Sequence, residues 1–79
     1  MHHKTNRALA NLNREWEAFS KKNRVTRKDA SRQLGWSDSF LGQILRGDSG
    51  LSLENLIKIS NYLEISPTRI DPDYLTPKF

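Results

Sequence analysis

The stretch from Thr26 to Gly47, TRKDASRQLGWSDSFLGQILRG, constrains the fold more than any other part of the chain. Thr26 has a hydroxyl that can accept from the unpaired N–H groups of a first helical turn, with Asp29 three residues on as its partner. The helix that starts there should stop at Leu34, because Gly35 can adopt the left-handed conformation that many helix ends require. Ser37 offers a second N-cap, and Trp36 before it can pack on Leu41 as a hydrophobic staple. A second helix is predicted from Asp38 to Arg46, ended by Gly47. The stretch is thus two short helices joined by a tight turn.

At about 100° per residue, the second helix sorts into two sides. Phe40, Leu41, Ile44 and Leu45 need a core, whereas Ser39, Gly42, Gln43 and Arg46 form a polar side. That side offers an amide, a hydroxyl, a guanidinium and a glycine open to close approach, the groups with which a protein reads the major groove. A solvated helix face is the competing explanation.

The charge distribution favours the first explanation. Residues 1–46 carry ten Lys/Arg against four Asp/Glu, a net +6, and residues 47–79 carry three against five, a net −2. Between Ser20 and Arg32, six basic residues (Lys21, Lys22, Arg24, Arg27, Lys28 and Arg32) face only Asp29. A basic half ending at the second helix is the footprint expected of a phosphate-binding surface.

The same stretch resembles the helix-turn-helix of the phage lambda repressor and Cro-type (XRE-like) family, whose usual run is Thr-Gln, a helix ending in Leu-Gly, an apolar residue and Ser, the recognition helix, then Arg/Asn-Gly. The resemblance continues without a gap through GLSLENLIKISNYLEISPTRIDPDYL. Arg27 stands where Gln is common, Ala30 where a larger aliphatic is usual, and Ser31 where Ala is usual; the last two are expected to weaken the packing of the first helix slightly. The resemblance implies a sequence-specific regulator of transcription, a repressor or Cro-like protein of phage or prophage type, bound to a double-stranded DNA operator. It also implies a bacterial or infected-host cytoplasm, where the protein is associated with the nucleoid.

In the geometry the resemblance implies, Gln43 is the best base reader, followed by Ser39, Asp38 and Gly42. Asp38 would accept from a cytosine, although an acid in a first helical turn is favoured by the helix dipole in any case. Phosphate contacts are expected from Thr26, Arg27, Lys28, Ser37 and Arg46, with Lys22, Arg24 and Ser49 beside them. Lys4 and Arg7 are candidate contacts from an arm reaching around the duplex. Asp48 sits awkwardly near phosphates.

The remainder builds the scaffold. Residues 1–6 are expected to form a flexible arm, residues 7–76 the domain and residues 77–79 a tail. Leu9, Leu12, Trp16 and Phe19 recur every three or four residues and mark a helix over about 7–22, with Asn11, Asn13, Glu15 and Glu17 off its buried side. Ser52 caps a fourth helix whose core side is Leu53, Leu56, Ile57, Ser60 and Leu63, widened by Ile59 and Tyr62. Ser66-Pro67 starts a single turn ending at Ile70, and Asp71-Pro72 a further short helix stopped by Pro77. The expected fold is an all-α, compact, lambda-repressor-like bundle of about five short helices.

Tyr74, Leu75 and Phe79 could form a two-fold contact for a homodimer or a clasp within one chain. Without cysteine there is neither a disulfide framework nor thiolate chemistry, and the paired His2 and His3 lack further ligands. No metal, cofactor or membrane partner is expected, and an enzyme is disfavoured for want of an acid/base constellation. The rival functional class is an antitoxin-like or adaptor module that binds chiefly a protein, which exposed apolar residues at Phe40 or the C-terminus would favour.

Overall fold

A computed structural model describes the backbone of residues 3–74 and the side chains from Arg7 to Tyr74. Four α-helices follow one another: α1 (His3–Asn23), α2 (Arg27–Gln33), α3 (Phe40–Arg46) and α4 (Leu53–Leu63). A 3-10 turn, Pro67–Arg69, follows them. No strand occurs among the described residues. The all-α class is as expected, but among the described residues the helices number four rather than five. At the fifth position Asp71 accepts from the Asp73 N–H (3.1 Å), and the Tyr74 N–H donates to the Asp71 carbonyl (2.9 Å). Among the described residues, the start signal at Asp71-Pro72 therefore yields a turn.

The helix α1 starts at His3, not at residue 7, so most of the segment expected to be an arm continues α1. No glycine or proline interrupts residues 3–6, and extending an existing helix adds a hydrogen bond per residue without a new nucleus. Met1, His2 and the side chain of Lys4 lie outside the described residues, as do Leu75, Pro77 and Phe79. Tyr74 packs against its own chain's core, as the clasp reading expects of it.

The core gathers one side of every helix: Ala8, Leu12 and Trp16 from α1, Ala30 from α2, Leu41, Ile44 and Leu45 from α3, Leu56, Ile59 and Leu63 from α4, and Ile70. Burying a side chain such as Leu12 or Ile44 completely stabilises the fold by about 1.5–3 kcal/mol. Phe19 joins Trp16 and Tyr62 in an aromatic row, with centroids 6.2 and 5.3 Å apart. Leu53, expected in the core, is 61% exposed because it opens α4 before the helix turns its apolar side inward. Asn11 and Asn13 are half-buried and join elements: Asn11 Nδ2 donates to the Ile70 carbonyl (3.0 Å), and Asn13 Nδ2 donates to the Leu45 carbonyl (3.0 Å). The second bond ties the end of α3 to α1.

Candidate nucleic-acid interface

Local chemistry sets the geometry of α2 and its turn. Thr26 Oγ1 accepts from the Asp29 N–H (3.1 Å), the cap that opens α2. Beyond Leu34, Gly35 takes φ +82°, and the Trp36 N–H closes back on the Ser31 carbonyl (2.8 Å). This six-to-one bond ends the helix and swings the chain into α3.

The entry into α3 departs from expectation. The helix begins at Phe40, two residues late, and Ser37 contributes only its carbonyl, which accepts from the Phe40 N–H (3.1 Å). The cap comes from α2 instead: Ser31, fully buried, accepts the Leu41 N–H on its Oγ at 3.0 Å. Ser31 therefore locks α2 to α3, contrary to the expected loosening. Ala30, also fully buried, belongs to the core. Trp36 packs edge to face on Phe40, with centroids 4.9 Å apart, and both are half-buried against the core.

The outward side of α3 carries Ser39, exposed, and Gln43, half-buried. Gln43 Nε2 donates to Ser39 Oγ (3.2 Å), and Ser49 Oγ donates to Gln43 Oε1 (3.1 Å). Gly42 is not on the open side: it is buried, and a Cβ there would lie 3.4 Å from the Arg46 guanidinium and 3.8 Å from Arg27 Cδ. The two arginines thus meet over the glycine, because position 42 turns toward α2.

Two acids bracket α3. Asp38 takes a two-point ion pair from Arg32 across the turn (2.8 and 3.2 Å). The Arg32 hydrogen bond, and then its charge and that of Lys28, hold the Asp38 carboxyl below the usual carboxylate range despite some desolvation. The Arg32 guanidinium is correspondingly raised, first by the hydrogen bond to Asp38. Past α3, Asp48 receives Arg46 at 3.0 Å. Arg27, Lys28, Ser37 and Thr26 are exposed around this surface, as are Lys22 at the end of α1 and Arg24 in the α1–α2 loop. Arg7 is exposed on α1. Arg32, which belongs to the basic run, was absent from the expected contacts; its signal was the opposite charge at Asp38 on the far side of Gly35.

In comparison with known families, a family model for helix-turn-helix domains (HTH_3) covers residues 21–70. The chain belongs to the helix-turn-helix family of the Cro and lambda-repressor type. It is a DNA-binding domain of the transcription-regulator kind. The match begins near the end of α1 and closes at Ile70, so the helix-turn-helix domain takes in α2, α3, α4 and the 3-10 turn. No curated protein matches the chain, and no solved structure does. Among the described residues, no helix is long and apolar enough to cross a membrane.

Proposed function

We propose that this chain is a sequence-specific transcriptional regulator, a repressor or Cro-like protein of phage or prophage type, that lays α3 in the major groove of an operator. The observation that carries the reading is Gln43. On a helix whose opposite side is core, its amide is held outward between two serines. An amide so placed can engage the N6 and N7 edge of adenine with a donor and an acceptor. Ser39 lies one turn closer to the helix start and is the second base contact. Gly42 serves by letting Arg27 and Arg46 converge, and those arginines, with Thr26, Lys28 and Ser37, take phosphates. Lys22, Arg24 and Arg7 extend the basic surface along the duplex. Asp38 acts through Arg32, whose guanidinium it aims and partly neutralises.

A protein-partner module would lean on exposed aromatics, and Phe40 is half-buried, packed edge to face against Trp36. Selection from a pool of random duplexes at near-physiological salt, followed by sequencing, tests the proposal. An enriched inverted repeat with half-sites about one helical turn apart supports specific binding by a homodimer. A single enriched site supports a monomer, and no enrichment by the folded protein refutes the reading. On the selected site, Gln43→Ala is expected to lose about 1–3 kcal/mol at one base pair, while Arg27→Ala weakens every sequence alike. Equal losses for Gln43→Ala on selected and random DNA would remove its base-reading role.

A further inference from the structure

We infer that Ser49 is a positioning residue for Gln43, setting how sharply the protein discriminates at one base pair, rather than a phosphate contact. The inference rests on the reading that Gln43 faces a base. Ser49 lies outside α3, yet it holds Gln43 twice. Its hydroxyl donates to Gln43 Oε1 (3.1 Å), and its N–H donates to the Gln43 carbonyl (3.2 Å). The Asp48 N–H shares that carbonyl at 2.8 Å, and Gly47 at φ +85° makes the return possible. The loop is therefore closed onto the helix, and the half-buried Ser49 is delivered by backbone geometry.

A glutamine amide has two N–H donors and an oxygen with two lone pairs. Ser39 takes one donor and Ser49 one lone pair, with the serines approaching from opposite ends of the amide. One N–H and one lone pair remain, the complement of the N7 acceptor and N6 donor of adenine. A glutamine without these partners would sample many rotamers and lose that freedom on binding. The Ser49 hydroxyl proton points inward to Oε1, and the Asp48 carboxylate stands next in the chain. Both features disfavour Ser49 as a phosphate ligand.

The test compares wild type, Ser49→Ala, Ser49→Thr, Gln43→Ala and the double variant, each selected against the same random duplex pool. Thermal melts confirm folding. Ser49→Ala should keep its affinity for random duplex and lose about three- to tenfold of its preference at the base pair that Gln43→Ala also affects. Ser49→Thr, which retains a hydroxyl, should restore the preference. The double variant should be no worse than Gln43→Ala alone. Equal weakening of all sequences by Ser49→Ala would make Ser49 a phosphate contact and overturn the inference. So would an unchanged preference in Ser49→Ala where Gln43→Ala loses it, which leaves the base-reading role standing. If Gln43→Ala leaves the wild-type preference intact, the base-reading role fails and the inference fails with it.

Discussion

At the scale of single residues, Ser31 shows how a small polar side chain can do more than its position in a sequence suggests. By its resemblance to the repressor family it is a departure from the usual alanine; in the fold its buried Oγ caps α3 across ten residues of chain. Ser31→Ala, although it restores the residue usual in the family, is expected to destabilise the domain by about 1–2 kcal/mol, because the Leu41 N–H is left buried without a partner. Urea denaturation measures this, and an unchanged midpoint would show the cap to be idle. Asp38 supplies a second test. Its carboxyl is held down by Arg32, so the stabilisation from the pair is present above the unfolded-state pKa and is lost only as pH falls through the lower folded-state value. Carbon-detected titration should place the Asp38 midpoint below the usual carboxylate range, and Arg32→Ala should raise it. A midpoint unmoved by Arg32→Ala would contradict the pairing.

Helix ends and turns decide the scale of elements. The Thr26 cap, the Gly35 stop and the Gly47 stop were legible in the sequence, because each depends on residues within one turn of one another. The start of α3 was not, since its cap comes from another helix. The burial of Gly42 and the exposure of Leu53 were illegible for a related reason: a helical wheel gives the angle of a residue, but not which neighbour covers it. The end of α4 shows the reverse conflict. Glu64 sits at φ +61°, and the Ile65 N–H closes on the Ser60 carbonyl (3.0 Å). The motif wants glycine there and has a residue with a Cβ. Glu64→Gly is expected to stabilise the domain by about 0.5–1 kcal/mol, the relief of left-handed strain set against a more flexible unfolded chain. A lower melting temperature would show that the Glu64 side chain contributes more than its backbone costs.

For the whole molecule, the division into a basic first part and an acidic remainder matches the helix-turn-helix architecture: the excess of Lys and Arg ends with α3, and α4 with the last turn closes the core behind it. The basic surface is not uniformly positive, since Asp38 and Asp48 engage Arg32 and Arg46 at either end of α3. Such exposed pairs add little stability, and their larger effect is to lower the charge offered to any phosphate backbone. On the proposed reading, sequence discrimination then depends on the groups between them, above all Gln43. The measurement that tests this most directly is methylation interference on the selected duplex. Methyl groups at guanine N7, in the major groove, should block binding within each half-site, and replacing one adenine by 7-deazaadenine should weaken the wild type but not Gln43→Ala. Interference confined to adenine N3, in the minor groove, would contradict the placement of α3.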